Sequence, residues 1–227
     1  QAGHLGAPHI IELTISYRMH PSVMTFVNRT FYAGRLVCGL TDLPGPIPGL
    51  PWPLASNRTL GDWKAKMTEH LEGYREDRHR VIFVHCDGPE EMAAGGHSPF
   101  NEDQAAAVYH IMRLVKVRSP LGLPSTLVLT PSSAQVGEIC HRLRPEGYLE
   151  QGVRVSSVDA AQGQEADLVV ISMVRCNDTL KVGFTDDAKR LNVAITRARA
   201  GVVIVAHGPT TAVSVASGMN VLLAQIN

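Results

Sequence analysis

The sequence has none of the elements by which most nucleotide-binding enzymes are recognised. It contains no Gly-x-x-x-x-Gly-Lys-Ser/Thr loop, and no Asp-Glu pair at the end of an apolar run that could hold magnesium. A Gly-x-Gly-x-x-Gly turn and a nucleophile–base constellation are also absent. Because such elements bind phosphates, metals or reacting groups, the chain carries no complete active site of these kinds.

Signals for metal sites, secretion and membrane spans are missing too. The four cysteines form no Cys-x-x-Cys pair, and no set of histidines has the spacing of metal ligands. The adjacent pairs His85-Cys86 and Cys140-His141 are interpreted as chance neighbours rather than ligands. No secretory leader is recognised, and no apolar run reaches about 18 residues. We therefore expect no metal site and no membrane contact, and the unpaired cysteines indicate an intracellular protein of the nucleus or cytoplasm.

Net charge and length limit the kind of nucleic-acid site and the number of domains that the chain can have. The 227 residues include 21 basic and 21 acidic side chains, so the formal net charge is zero. A neutral protein has no global field that attracts a polyanion, and any nucleic-acid site has to be a local groove. The length suits one domain with a sizeable core, and we expect residues 1–227 to form it.

Apolar, β-branched runs alternate with helical patterns along the chain. The runs predict strands at residues 10–15, 80–85, 126–129, 153–158, 168–172 and 202–206. Helices are predicted from Pro21 to Gly34, over 63–75, from 102 to about 117 behind an Asn101 cap, from 133 to about 144, and over 210–225. Strands separated by helices favour an α/β fold, with a parallel sheet covered on both faces.

One segment interrupts this alternation. Residues 38–60 are dense in glycine and proline and include the string LPGPIPGLPWPL. Such a composition predicts an irregular surface excursion, with a Pro-rich ligand segment as the alternative.

The most unusual stretch lies between residues 155 and 199. A polar turn from Asp159 to Glu165, DAAQGQE, separates two β-branched apolar runs, and RLNVAITRAR follows after a short loop. A helix through the second string would place Arg190 and Arg197 on one face, beside an apolar stripe. Two guanidinium groups on one rigid face, next to a carboxylate turn, suit a phosphorylated ligand.

These strings closely resemble motifs V and VI of superfamily-one helicases, and the best match is the up-frameshift-type branch. The resemblance rests on QGQE, VGF, RLNVAITRAR and the apolar strand that follows. In that family the glutamate of the turn lies at the nucleotide site, and the arginine after the threonine contacts the γ-phosphate. The resemblance thus implies these roles for Glu165 and Arg197, and places Gly163 and Arg190 at the nucleotide as well.

A second string, LTISYRMHPSVMTFVNRTFYAGRL, resembles the YRMHP motif of the same family. The resemblance implies that Tyr17 stacks on adenine and that Arg18 is a second γ-phosphate arginine. An aromatic face beside a fork of N–H donors is a chemically reasonable way to hold a purine and its phosphates.

A third string, TLVLTPSSAQ at residues 126–135, resembles the strand-Thr-Pro-Tyr-x-x-Gln element that touches the nucleic-acid backbone. Serine at position 132 departs from the usual aromatic residue, which removes a stacking partner if that residue binds a base. Hydroxyl groups at a helix N-terminus are natural phosphate donors, although Thr130 and Ser132 can equally be ordinary helix caps. The resemblance implies nucleic-acid contacts from Thr130, Pro131, Ser132, Ser157, Asp159 and Gln162.

The resemblance covers essentially the whole chain, but only the second, C-terminal of the two RecA-like domains of such a helicase. It implies an ATP-dependent enzyme in which a missing first domain holds the P-loop and Mg2+, so that this chain alone is inactive. Single-stranded RNA or DNA would cross both domains, the enzyme would translocate along it 5′ to 3′, and regulatory proteins are further possible partners.

Two other function classes stay open. A catalytically inactive, helicase-derived protein-interaction module would need neither the arginines nor the glutamate that the sequence retains. A different α/β nucleotide-binding enzyme would need the glycine-rich turn or the nucleophile that the sequence lacks.

Overall fold

The structure is a computed structural model that describes residues 12–45, 47, 58–59, 80–96, 98–177, 179 and 187–212. The strands are β1 (Ile15–Ser16), β2 (Val37–Cys38), β3 (Arg58–Thr59), β4 (Val81–His85), β5 (Glu91–Met92), β6 (Pro99–Phe100), β7 (Thr126–Thr130), β8 (Arg154–Ser157), β9 (Ala166–Ser172) and β10 (Ala198–Ala206). The helices are α1 (Pro21–Phe31), α2 (Glu102–Arg118), α3 (Ser133–Leu143), α4 (Ala188–Ile195) and α5 (Gly208–Ala212).

A six-stranded parallel sheet with the order β3-β4-β10-β9-β7-β8 forms the centre of the fold. Successive side chains of a strand point to opposite faces of the sheet. In the inner strands the side chains on both faces are mostly apolar and buried. In β10, for example, Val202 and Ile204 belong to one apolar cluster, whereas Val203 and Val205 belong to the other. The first cluster is covered by α1 and α4, and the second by α2 and α3. The predicted parallel sheet with helices on both faces is confirmed.

Local sequence accounts for where the two best-defined helices begin. Pro21 occupies the first turn of α1, and the His20 side chain accepts a hydrogen bond from Ser22 N. Asn101 Oδ1 accepts from Gln104 N at 2.9 Å and so caps α2, whose first turn carries two acidic residues. A fixed proline φ, a capping side chain and negative charge near the N-terminus all favour helix initiation.

The prediction of a buried strand over residues 10–15 is wrong in the part that the structure describes. Only Ile15–Ser16 are extended, and they pair with β2 in a separate two-stranded parallel sheet. Leu13 is 85% exposed and Ile15 is 54% exposed. The apolar run resembled a core strand by composition, but its described part lies outside the six-stranded sheet, and none of the described helices buries Leu13 or Ile15.

Several predictions fall outside the described residues. These are the helix over 63–75, most of the excursion at 38–60, and the final helix beyond residue 212. Where the excursion is described, it is not wholly irregular, because Arg58–Thr59 pair with β4 in the sheet, and the Arg80 guanidinium donates to the carbonyls of Pro44 and Gly45.

All four cysteines are free thiols. In the described ranges, no group of three or more His, Cys, Asp or Glu side chains is arranged to hold a metal ion. The helices seen there are also too short or too polar to cross a membrane.

Candidate nucleotide and nucleic-acid sites

The candidate residues divide between the two ends of the parallel strands, which we call the amino edge and the carboxyl edge of the sheet. Glu165 and Arg197 immediately precede β9 and β10, so they lie at the amino ends of these strands. Thr130 and Ser157 are the last residues of β7 and β8, at the carboxyl ends. The segment after β8 therefore runs across the sheet from the residues at the carboxyl ends to those at the amino ends. The sequence alone indicates a single polar turn for this segment.

At the amino edge, Arg18 binds Glu165. Arg18 Nε donates to Glu165 Oε2 at 2.7 Å, and its Nη1 donates to the carbonyl of Thr196 at 3.1 Å. The hydrogen bond from Arg18 is the main cause that holds the pKa of Glu165 below its ordinary value. Glu165 is therefore an ionised carboxylate and serves as the counterion of Arg18.

Arg197 is fixed beside this pair by three backbone and side-chain acceptors. Its Nε donates to Val193 O at 2.9 Å, its Nη1 to Gln164 O at 3.2 Å and its Nη2 to Thr196 Oγ1 at 3.2 Å. Burial first, and then the nearby charge of Arg18, lower the pKa of Arg197 from its ordinary value. A guanidinium held by neutral acceptors next to a second guanidinium favours an anion.

Both arginines keep capacity for a ligand. A guanidinium has five N–H donors, of which the described residues engage two on Arg18 and three on Arg197. Glu165 is a common neighbour of both, and it cannot neutralise two positive charges. The amino edge is thus arranged to receive a phosphate-like anion.

Sequence reasoning missed three residues of this cluster. Thr196 accepts from both arginines, through its carbonyl and its hydroxyl. Arg199 Nη1 lies 4.0 Å from Glu165 Oε1. Arg154 Nη2 donates to Glu165 O at 2.8 Å and braces the end of the turn. Thr196 and Arg199 flank the motif arginine, so the motif itself could have indicated them, whereas Arg154 has no local signal.

The prediction that Arg190 and Arg197 share one helix face is wrong. Helix α4 ends at Ile195, because the chain turns at Thr196 to enter β10 at Ala198. Arg190 Nε instead lies 3.2 Å from Asp159 Oδ1 and lines a small apolar pocket with Pro131. The structure therefore places Arg190 with residues of the carboxyl edge, and Arg197 with Arg18 and Glu165.

Two further nucleotide candidates have distinct settings. Tyr17 directly precedes Arg18 and is 69% exposed, so its ring is accessible to a ligand. Gly163 has a φ of +82°, in the left-handed region where side chains are strained. Glycine at this position lets the turn run on to Glu165, and no side chain is present there to contact a ligand.

At the carboxyl edge, Thr130 and Ser132 are buried. Ser132 Oγ bonds to Pro99 O and lies 2.8 Å from Ser98 Oγ. Ser98 Oγ also accepts from Ala134 N at 3.1 Å, so Ser98 caps α3 and the Ser132 side chain does not. Ser132 thus occupies the N-cap position of α3 without a capping hydrogen bond from its side chain, and both predicted hydroxyls are engaged inside the protein.

The other nucleic-acid candidates are more accessible. Asp159 and Gln162 are exposed, and Pro131 and Ser157 are half-buried. Ser157 Oγ accepts from Ala160 N at 3.3 Å, which supports the short 3-10 turn that follows β8. The accessible part of the predicted nucleic-acid surface is thus formed by these four residues.

A buried amide network lies beneath this surface, and no local sequence pattern indicates its partners. Gln135 Oε1 accepts from Asn101 N at 2.7 Å, and its Nε2 donates to Asn101 O at 3.0 Å and Ser172 Oγ at 3.1 Å. Ser172 Oγ in turn donates to Gln104 Oε1 at 3.0 Å. The network connects the N-termini of α2 and α3 to the end of β9.

The sheet order and the two helix layers define a RecA-like α/β domain, and comparisons with known proteins identify its family. A family profile described as "AAA domain" matches residues 3–209. Regulator of nonsense transcripts 1 from Caenorhabditis elegans is 32% identical over 205 residues, which are 88% of this chain and 17% of that protein. The Arabidopsis thaliana homolog is 34% identical over 206 residues, 87% of this chain and 14% of that protein.

ATP-dependent helicase NAM7 from Saccharomyces cerevisiae is 30% identical over 203 residues, 87% of this chain and 18% of that protein. Among solved structures, the C-terminal domain of a possible DNA helicase from Lactobacillus plantarum gives a TM-score of 0.45 at 16% identity, covering 85% of this chain and 88% of that one. The chain belongs to the up-frameshift-like branch of the superfamily-one helicases. It spans 14–18% of the length of these three relatives.

Proposed function

We propose that this chain is the second motor domain of an ATP-dependent RNA or DNA helicase. In this proposal Arg18 and Arg197 act on ATP whose triphosphate and Mg2+ are held by a first RecA-like domain. The observation that carries the proposal is that Arg18, paired with Glu165, and Arg197 lie together around Thr196 at the amino ends of the strands, with N–H donors left over on both guanidinium groups. Charge that develops on a transferring phosphoryl group is stabilised by donors fixed in this way.

The remaining amino-edge residues have supporting roles. Tyr17 would stack on the base, because its exposed ring directly precedes the phosphate-binding Arg18. Thr196 would hold both arginines at a fixed separation, since it accepts from each of them. Arg18 would exchange Glu165 for the phosphate, and the released carboxylate would act within the same cleft.

Single-stranded nucleic acid would cross the carboxyl edge of the sheet. Asp159, Gln162, Ser157 and Pro131 form its accessible part, and the backbone near them supplies further donors and acceptors. The segment 157–165 joins this edge to the phosphate site, which would let closure of the cleft move the grip on the strand. Repeated closing and opening would translocate the domain 5′ to 3′.

The arginine assignment is tested in the full-length protein by Arg197→Ala, with ATP turnover and ATP affinity measured separately. An arginine that acts on the transition state is worth roughly 10³–10⁵ in rate, so kcat falls by orders of magnitude while ATP binding changes less. Arg18→Ala behaves similarly. Arg142→Ala is the matched control, because Arg142 pairs with Glu138 and Glu102 on the outer helices.

Near-full turnover by Arg197→Ala would contradict the assignment. A full-length protein without ATPase activity would instead favour the interaction-module alternative. The 227-residue chain alone is expected to hydrolyse no ATP, because positioning and metal binding dominate phosphoryl transfer and the sequence holds no P-loop.

A further inference from the structure

Gly39 lies directly against the ring of Tyr17. Val37 and Cys38 pair with Ile15 and Ser16 in the small parallel sheet, and Gly39 N continues the ladder by donating to Ser16 O at 2.9 Å. The ladder therefore brings Gly39 next to Tyr17. The side of the ring formed by Cδ1 and Cε1 rests where a Gly39 side chain would be.

The contact leaves no room for any side chain at this position. A Cβ atom added at Gly39 would lie 2.5 Å from Tyr17 Cε1, 2.8 Å from Tyr17 Cδ1 and 2.6 Å from Ile15 Cγ2. Real Cβ atoms do not approach other carbons so closely, so either the ring or the backbone has to move. Tyr17 is 69% exposed and Ile15 is 54% exposed, so both side chains can yield, and an alanine displaces the ring together with Ile15 Cγ2.

The need for glycine arises from this contact and not from the backbone. Among the residues that the structure describes, the glycines with positive φ are at positions 34, 95, 122, 147, 152 and 163, and Gly39 is not one of them. An alanine could therefore adopt the backbone conformation of Gly39 without strain. What it could not do is leave the Tyr17 ring in place.

We infer that Gly39 is a positioning residue for the nucleotide base: its missing side chain fixes the place of the Tyr17 ring on which a flat aromatic base stacks. The inference rests on the proposed function, since it takes the base to bind at Tyr17. Gly39 acts only through Tyr17. The phosphates are held separately, by Arg18 and Arg197.

The test is Gly39→Ala in the full-length protein, with KM for ATP, kcat and the inhibition constant of inorganic triphosphate measured. Loss of one base–aromatic stack corresponds to a factor of roughly ten, so KM for ATP rises by about that factor at nearly unchanged kcat. Inorganic triphosphate has no base, and its inhibition constant stays the same. Gly137→Ala is the control, because a Cβ at Gly137 meets no atom within 4 Å.

The triphosphate measurement separates a shifted ring from a disrupted small sheet. Arg18 follows Tyr17 in the chain, so disorder of β1 and β2 would displace the guanidinium and weaken triphosphate binding as well. Such a parallel loss would overturn the positioning role.

A double mutant decides whether Gly39 acts through Tyr17. Tyr17→Ala alone should raise KM for ATP, and adding Gly39→Ala should change it no further, because the ring through which Gly39 acts is gone and the remaining contact, with Ile15 Cγ2, does not involve the base. An additional increase in the double mutant would overturn the inference. If Tyr17→Ala raises KM but Gly39→Ala does not, only the role of Gly39 fails. If Tyr17→Ala leaves KM unchanged, base stacking at Tyr17 and the role of Gly39 fail together.

Discussion

Arg18 Nε lies 2.7 Å from Glu165 Oε2, although the two residues are 147 positions apart in the sequence. Their side chains are 34% and 47% exposed, so water screens the pair and it adds little to the stability of the fold. Its importance is chemical, because Glu165 occupies an N–H donor that faces the proposed phosphate site. A phosphate that binds Arg18 has to compete with this carboxylate.

The first prediction follows from that competition. Glu165→Gln keeps the size of the side chain and removes its charge, which leaves the arginines without their common counterion. Binding of inorganic triphosphate to the full-length protein should tighten by about fivefold, the factor that about 1 kcal/mol of partly screened charge interaction represents. Isothermal titration of both proteins measures it.

Asp167→Asn is the matched control for this charge removal. Asp167 Oδ1 lies 3.6 Å from Arg199 Nε, and its Oδ2 accepts from Ser125 Oγ. It makes no ion pair with Arg18 or Arg197 among the described residues, so triphosphate affinity should change little. Weaker binding by Glu165→Gln would mean that the carboxylate contacts the ligand favourably instead of competing with it.

The second prediction concerns the buried amide network. Gln135→Leu leaves the buried backbone N–H of Asn101 without its partner, and it removes one of the two hydrogen bonds made by Asn101 O and by Ser172 Oγ. An unsatisfied buried polar group costs about 1–3 kcal/mol, so the free energy of unfolding should fall by roughly that amount. Urea denaturation of the chain measures this loss.

Gln151→Leu provides the comparison on the surface. Its side chain donates to Gly147 O at an exposed position, where substitutions usually stay within about 0.5 kcal/mol. Equal stability of the two variants would show that water or rearrangement satisfies the groups around Gln135.

Much of the fold could be predicted because its patterns are local. The strand at Val81–His85 and the helix capped by Asn101 both follow from short runs of residues. The order of strands in the sheet, in contrast, depends on pairings between distant segments. The prediction of a buried strand at Ile15 failed for the same reason. Composition alone does not reveal whether a strand has a neighbour in the sheet and a helix that covers it.

Local sequence patterns also limited the prediction of single residues in the site. Helical periodicity grouped Arg190 with Arg197, but periodicity holds only while the helix continues, and α4 ends at Ile195. Ser98 caps α3 from a hairpin more than 30 residues away, which no local pattern indicates. Motif resemblance, by comparison, selected Arg18 and Glu165, and the structure brings them into contact.

The third prediction concerns thiol reactivity. Burial is the main cause that raises the pKa of the Cys86 thiol to about 11. Only thiolates react with iodoacetamide, so Cys86 should be alkylated much more slowly than half-buried Cys38 at pH 8. Mass spectrometry of the alkylated peptides measures the order.

The sign of the pH effect follows from the raised value. Because the folded protein favours the protonated thiol, this contribution to stability is present below the ordinary thiol pKa and is lost as pH rises toward about 11. Alkylation of Cys86 should therefore increase over this range, or on unfolding at pH 8. Fast labelling of Cys86 in the folded protein at pH 8 would contradict its burial.

The last prediction separates the accessible nucleic-acid candidates from the buried ones. Gln162 is exposed, whereas Thr130 is buried and its Oγ1 accepts only a long hydrogen bond of 3.4 Å from Ser132 N. Gln162→Ala should weaken binding of a short single strand to the full-length protein with little loss of stability. Thr130→Val should leave binding nearly unchanged. Neither residue is charged, so neither variant should alter the slope of affinity against salt concentration.

Titration of a labelled single strand at several salt concentrations measures both effects. The chain alone, with zero net charge, should bind weakly, in the non-specific range of about 10⁻⁴–10⁻⁶ M, and more weakly as salt increases. If Thr130→Val weakens binding while Gln162→Ala does not, the strand reaches the N-terminus of α3. Ser98 and the hairpin that carries it would then have to move away from Ala134 N when nucleic acid binds.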